Sequence, residues 1–154
     1  MTITTINVAD ITKSVKQMLI DAAATNPSLT GLTPTRAEVL NEDPRRCPWV
    51  GIYKNSIQFP TRTLGMGTGY RRQSMTLVIV AQQASGSDPA ECEDSLELLV
   101  QGVLSTLLTD PSLGGLVDTL DLVGINYDSY LQTEDFFFQQ AFITITAVTN
   151  VTAS

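Results

Sequence analysis

A glycine-rich segment followed by two arginines is the stretch whose residue types are most suggestive of phosphate binding. Residues 60–72 read PTRTLGMGTGYRR, with Arg71 and Arg72 at the end. A dinucleotide fingerprint needs a helix directly after its glycines, and a P-loop needs a Lys-Ser/Thr pair at such a helix. A strand is predicted to follow here, so neither motif is satisfied. Binding of an anionic ligand through Gly65–Arg72 stays as a remote alternative.

Nucleophilic and metal chemistry have few candidate residues. The sequence contains no histidine, so a Ser–His or Cys–His pair cannot form. Cys47 and Cys92 predict two reduced thiols rather than a disulfide framework or a zinc site. Glu91, Glu93 and Asp94 follow a predicted helix start, where the helix dipole favours negative charge. The sequence therefore predicts a protein that is not an enzyme, with no catalytic residue, no cofactor and no metal site.

Charge is divided unequally along the chain. Residues 1–73 carry all nine lysines and arginines with five acids, a formal charge of +4, whereas residues 74–154 carry eleven acids and no base. One interpretation is self-assembly, in which the basic surface of one copy meets the acidic surface of the next. The alternative is that the acids only solvate one helix and some loops. The net charge of −7 argues against tight DNA binding.

Length and composition predict one globular domain over residues 1–154, with 150–154 as a frayed tail. No apolar run approaches the roughly 18 residues that a membrane span needs. The first residues lack a basic region before an apolar core, so no signal peptide is predicted, and we expect a protein made in a cytoplasm.

Helical spacing and turn residues predict the elements of the first half of the chain. Val15 and Leu19 belong to an apolar stripe that predicts a helix between Ile6 and Ala24. The segment from Ser28 to Thr35 is predicted as a loop. Two further segments are expected to be extended: a short strand over Arg36–Asn41, and a strand or hairpin over Trp49–Phe59 with its turn at Lys54-Asn55-Ser56.

The second half of the chain predicts a buried strand over Ser74–Ala81 and a long helix that ends at Thr109-Asp110-Pro111. Asp88 is the expected N-cap and Pro89 the first helical residue. The remaining predicted elements are a strand over Thr119–Tyr127, a polar loop over Asp128–Asp135 and a strand over Phe136–Thr149. This order favours an α+β fold, a mostly antiparallel sheet with both helices on one face and a long loop between strands.

One segment resembles a known family. Leu107–Asp118, LLTDPSLGGLVD, is similar to the segment after the long helix in tail terminator proteins of long-tailed bacteriophages. An opening amphipathic helix, a loop with glycines and arginines that enters a strand, and a threonine-rich last strand are similar too. The resemblance covers nearly the whole chain in order and length, and it is specific only at Leu107–Asp118.

The resemblance implies a structural virion protein, a hexameric ring at the tail–neck junction that caps the tail tube, ends its polymerisation and docks the head. Its implied partners are further copies of itself, the tail tube protein and a head–tail connector, while DNA passes through unread and no membrane is involved. Assembly would take place in the host cytoplasm. Another neck or head-completion protein is the nearest alternative. The candidate contact residues are Leu64, Met66, Tyr70, Arg71, Arg72, Arg45 and Arg46.

Overall fold

The computed structural model describes residues 8–36, 39–58, 69–86, 88–132 and 137–153. Short 3-10 helices precede the first and second strands, at Pro27–Leu29 and Pro44–Arg46. The longer elements, in chain order, are α1 (Val8–Ala23), β1 (Thr33–Arg36), β2 (Trp49–Gln58), β3 (Gly69–Ser85), α2 (Pro89–Thr109), β4 (Thr119–Gln132) and β5 (Phe137–Ala153).

The five described strands form one sheet in the order β1-β2-β3-β5-β4. β1 is parallel to β2, and the other three pairings are antiparallel. β3 and β5 lie at the centre and pair residue for residue, from Gly69 opposite Ala153 to Ser85 opposite Phe137. The predicted α+β fold with a mostly antiparallel sheet is confirmed. The predicted long loop falls largely on residues 59–68, which lie outside the described residues.

The main core lies between the two helices and one face of the sheet. Alternate residues of each central strand point to this face, as the two-residue period of a strand requires. The helices contribute Ile11, Val15, Leu19, Leu96, Leu99, Val100 and Val103, and the central strands contribute Met75, Leu77, Ile79, Ala141, Ile143 and Ile145. All of these side chains are almost fully buried. Both helices therefore pack on one face, as the sequence predicts.

Local signals place the ends of α2 as predicted. The carboxylate of Asp88 accepts a hydrogen bond from the backbone N–H of Ala90 at 3.0 Å, which satisfies one of the free N–H groups of the first turn. Pro89 is the first helical residue, and the helix ends at Thr109. The chain then turns through Gly114 and Gly115, whose φ angles of 69° and 92° lie in the left-handed region that glycine adopts without strain.

The predicted positions of two early elements are wrong. Thr33–Arg36 forms a strand where a loop was expected, so the predicted strand over Arg36–Asn41 begins three residues too late. β1 is an edge strand with Pro34 inside it, which is tolerated because an edge position leaves one N–H side without a ladder partner. Its four residues pair parallel with the first four of β2.

Of the two alternatives predicted for Trp49–Phe59, the strand is confirmed and the hairpin is wrong. β2 is a single strand that pairs with β3 on both sides of a bulge at Asn55. Its polar residues from Lys54 onward resemble a turn in composition because they are exposed. β1 pairs with β2 only as far as Ile52, so among the described strands the rest of β2 is an edge. Asn55 is the extra residue that a bulge leaves without a partner in the register.

β4 and β5 are longer than predicted. β4 continues through Gln132, where a polar loop was expected from Asp128. β5 continues to Ala153, where a frayed tail was expected from Asn150. The extra residues of β5 pair with Gly69–Arg72, so the two central strands extend each other. Ladder partners explain the difference, since the sequence of one strand does not show how far its neighbour reaches.

Candidate assembly surfaces

The predicted contact loop is divided by the boundary of the described residues. Leu64 and Met66 lie outside them. Tyr70, Arg71 and Arg72 lie in β3, where their backbones pair with the last residues of β5. The backbone of these residues therefore belongs to a strand, and their predicted position at an exposed loop end is wrong. The loop ends earlier because β5 supplies partners for β3 down to residue 69.

Arg45 and Arg46 lie in the short 3-10 helix before β2, and both are exposed. The carboxylate of Asp43 accepts hydrogen bonds from the backbone N–H of Arg45 at 3.0 Å and from its Nε at 3.2 Å. These two hydrogen bonds lower the pKa of Asp43. An ion pair this exposed adds little to stability, so it shapes the turn more than it stabilises the fold.

Hydrogen bonds of Asn41 attach the segment that contains Arg45 and Arg46 to the sheet. Its amide Nδ2 donates to Oε1 of Gln82 in β3 at 3.0 Å, and Nε2 of Gln82 donates back to the carbonyl oxygen of Asn41 at 3.0 Å. The oxygen Oδ1 of Asn41 accepts from the backbone N–H of Asp43 at 3.1 Å. Both side chains of the pair are buried. Their reciprocal hydrogen bonds hold the segment against the sheet face opposite the helices.

A row of amide and carboxylate groups continues this contact across the sheet. Nε2 of Gln82 also donates to Oε1 of Gln140 in β5 at 3.0 Å, and Nε2 of Gln140 donates to Asp128 in β4 at 2.7 Å. The predictions above did not include this row. The signal available was a glutamine directly after an apolar run, at position 82, since a buried amide must find hydrogen-bond partners.

Trp49 covers a glycine on the same face of the sheet. A Cβ placed on Gly51 would lie 2.5 Å from Cη2 of Trp49 and 2.8 Å from the hydroxyl of Tyr53, so only glycine fits between the two aromatic side chains. Trp49 is fully buried, and its indole Nε1–H has no hydrogen-bond partner among the described residues. This stack explains why a glycine occurs inside a strand.

An apolar groove lies at the other edge of the sheet, between α2 and β4. It is lined by Leu104, Leu107, Leu108, Leu120, Leu122 and Ile145 and has a volume of about 60 Å³. Leu108 is 71% exposed and Leu122 is 53% exposed. α2 packs over β3 and β5, which leaves the helix-side residues of the outermost strand only partly covered. These six side chains are called the α2–β4 groove below.

Acidic residues lie along the same edge of the sheet as the α2–β4 groove, and among them Glu97 is on the side of α2 that faces β4. The hydroxyl of Tyr127 in β4 donates a hydrogen bond of 2.7 Å to Glu97 in α2. This hydrogen bond is the main cause that raises the pKa of Tyr127 to about 12. Asp118 immediately precedes β4, and Asp121 is exposed on it. The edge of the sheet formed by β4 is therefore acidic as well as apolar.

The thiols have environments unsuited to nucleophilic chemistry. Burial raises the pKa of the Cys47 thiol to about 12, and it also raises the pKa of Cys92. The thiolate, not the thiol, is the nucleophile, so both groups are protonated at neutral pH. Within the described residues, no group of three or more His, Cys, Asp or Glu side chains is placed to hold a metal ion. Neither α1 nor α2 has the length and apolar character of a membrane-spanning helix.

Comparison with known proteins gives a match in structure and none in sequence. The chain matches no protein-family profile, and no curated protein sequence is similar to it. Among solved structures, it is similar to the sheath/tube terminator of an extracellular contractile injection system in its extended state. The two share 13% identity with a TM-score of 0.55, over 98% of this chain and 58% of the terminator's chain.

An identity of 13% shows the fold alone, and the chain spans just over half of the neighbour's length. The match nevertheless runs through almost all of this chain. The chain therefore has a tail terminator-like fold.

Proposed function

We propose that the protein is a structural tail terminator, which forms a ring on the end of a tail tube, ends its polymerisation and provides the docking surface for the head or neck. The observation that carries the proposal is the terminator-like fold, which extends over 98% of the chain. The solved neighbour is described as a terminator of both sheath and tube. The proposed role needs no catalysis by this chain.

The distribution of charge in the fold supports ring formation. Acidic side chains lie on α2, which packs over β3 and β5, and on β4 at one end of the strand order, whereas Arg36 and Lys54 lie on β1 and β2 at the other end. The exposed acids include Glu93, Asp94, Glu97, Asp121 and Asp128, and the exposed bases include Arg36 and Lys54. Different complementary surfaces on one chain produce head-to-tail contacts, which close into rings when the rotation allows. We propose six copies, in line with the resemblance.

The proposed partners are the tail tube protein on one side of the ring and a head–tail connector or neck protein on the other. DNA passes through the ring without being read. An acidic chain suits this passage because it offers few cations for the phosphates to bind, so the DNA slides rather than adheres. The proposed location is the tail–neck junction of the particle, after assembly in the host cytoplasm. Leu64, Met66, Tyr70, Arg71, Arg72, Arg45 and Arg46 stay as proposed contact residues.

Another neck or head-completion protein is the nearest alternative, because it would occupy the same junction. Electron microscopy of purified particles carrying an epitope on this chain separates the two. A terminator is expected on every free tail at its head-proximal end, including tails that have never met a head. Label found only on particles with heads, or along the whole tube, would contradict the proposal.

A further inference from the structure

The α2–β4 groove leaves large apolar side chains in contact with water. Glu97, Gln101, Leu104 and Leu108 follow the i, i+4, i+7, i+11 spacing that aligns residues along one stripe of a helix. This stripe faces β4, as the hydrogen bond that Tyr127 donates to Glu97 shows. Removing apolar surface from water is favourable, roughly in proportion to the area buried. A groove with Leu108 71% exposed is therefore a favourable place for a partner to bury apolar surface.

The backbone of β4 is poorly suited to extending the sheet into another molecule. Its pairing with β5 shifts register between Leu122 and Gly124, and again between Asp128 and Leu131. Bulges of this kind and charged side chains, here Asp121, are the features by which edge strands resist pairing with other strands. Contact at this edge is therefore expected through side chains.

The opposite edge of the same sheet has complementary character. Beyond Ile52, β2 is no longer covered by β1, and it presents Lys54 and the half-exposed Ile57. Arg36 at the end of β1 is exposed and donates a hydrogen bond of 3.2 Å from Nη1 to the hydroxyl of Thr12. Apolar surface beside cations complements an apolar groove that has the carboxylate of Glu97 on its helix stripe. These three residues, Arg36, Lys54 and Ile57, are called the basic edge.

The two surfaces lie at opposite ends of the strand order and cannot meet within one copy. β4 is the last strand of the sheet on one side, and β1 and the uncovered part of β2 are last on the other. The groove faces the helix side, and so do Lys54 and Ile57, which pair opposite the core residues Leu77 and Met75. Two copies placed side by side would therefore bring the basic edge of one to the groove of the next.

We propose that the α2–β4 groove binds the basic edge of a second copy of this chain. This inference rests on the self-association within the proposed function and assigns the surfaces that carry it. Every copy keeps one unused groove and one unused edge, so the contact is directional and repeats around a ring. Glu97, on the same stripe of α2 as Leu104 and Leu108, favours the cationic edge over a second groove.

Sedimentation of variants of the whole chain tests the groove and the edge separately. Protein concentrations up to about 1 mM are used, because contacts with millimolar dissociation constants are populated there. Leu108→Asp removes the groove, and Arg36→Glu with Lys54→Glu removes the edge. Each is expected to weaken self-association at least about tenfold, the size of effect that central interface residues give. Leu98→Asp is the matched control, because Leu98 is 55% exposed on the same helix and does not line the groove. It is expected to associate as the wild type does.

Mixing the two defective variants tests the direction of the contact. The intact groove of one meets the intact edge of the other, so the mixture is expected to form one-to-one dimers and nothing larger. Circular dichroism and melting curves of each variant establish that it is folded. A monomeric mixture of folded variants, unchanged association of Leu108→Asp, or a wild type that stays monomeric would each overturn the inference. So would loss of tube binding by Leu108→Asp without any change in self-association, since the groove would then receive the tube protein. None of these results contradicts the terminator role, which depends on tail ends rather than on this contact.

Discussion

Replacing Gly51 with alanine tests the packing of the aromatic stack on β2. The new Cβ would lie 2.5 Å from Cη2 of Trp49 and 2.8 Å from the ring and hydroxyl of Tyr53, closer than non-bonded carbon and oxygen atoms approach. Trp49 has no exposed surface, so the indole cannot swing into solvent without opening the structure around it. The added methyl group must therefore displace a buried side chain or the strand.

The expected loss follows from the cost of overpacking. Inserting a methyl group into a well-packed site typically destabilises a protein by about 1–3 kcal/mol. For a chain of 154 residues, this corresponds to a fall in melting temperature of about 3–10 °C. The matched control is Gly124→Ala in β4, where nothing lies within 4 Å of the new Cβ. Because alanine lowers the conformational entropy of the unfolded chain, Gly124→Ala is expected to leave the free energy of unfolding unchanged or raise it by about 0.5 kcal/mol.

Urea unfolding measured by tryptophan fluorescence gives the change in unfolding free energy of both variants. Trp49 is the single tryptophan of the sequence and lies in the stack, so its emission reports on this site. Gly51→Ala is expected to shift the midpoint to lower urea and to change the emission of the folded state. Equal urea midpoints for Gly51→Ala and the wild type would refute the reasoning. If the midpoint of Gly124→Ala fell by as much as that of Gly51→Ala, the loss would come from the backbone of strand glycines and not from the aromatic stack.

Three further predictions concern the core, a titration and assembly. Leu99→Ala is expected to lose about 2–5 kcal/mol of unfolding free energy, because the side chain is fully buried, whereas Leu98→Ala on the exposed side of α2 is expected to lose less than about 0.5 kcal/mol. The hydrogen bond to Glu97 raises the pKa of Tyr127 from 10.0 to about 12. The stability that its neutral phenol contributes is therefore present below pH 10 and lost as the pH rises through about 12. In an ultraviolet titration of tyrosinate, Tyr127→Phe is expected to lack the component that titrates near pH 12. Arg71→Glu with Arg72→Glu is expected to leave the fold intact by circular dichroism and to block capping of tubes, and an unfolded double variant would contradict their proposed role as contact residues.

The sequence predicts the elements that are held by local signals. Spacing of apolar residues and the Asp88-Pro89 start define α2 almost to the residue, because capping and helical period depend on neighbours along the chain. Alternation predicts β5 and the face that it buries in the same way. The α+β class follows from the order of these elements.

Strand ends and the parallel strand β1 depend on distant partners, and there the sequence misleads. Lys54-Asn55-Ser56 has the composition of a turn but lies on an exposed edge, where polar residues face water for a different reason. The contacts of Gln82 with Asn41 and of Gln82 with Gln140 join residues 41 and 58 positions apart, respectively, which no local pattern indicates. The sequence does not predict the groove, because Leu104 and Leu107 belong to the apolar stripe of α2, which predicts burial.

Tail length is the most direct test of the terminator role. Particles assembled in the absence of the protein and measured by electron microscopy are expected to show a broad distribution of tube lengths that extends well beyond normal. Supplying the wild-type chain should restore a single length. Tails of uniform normal length without the protein would contradict the account, even if those tails failed to join heads.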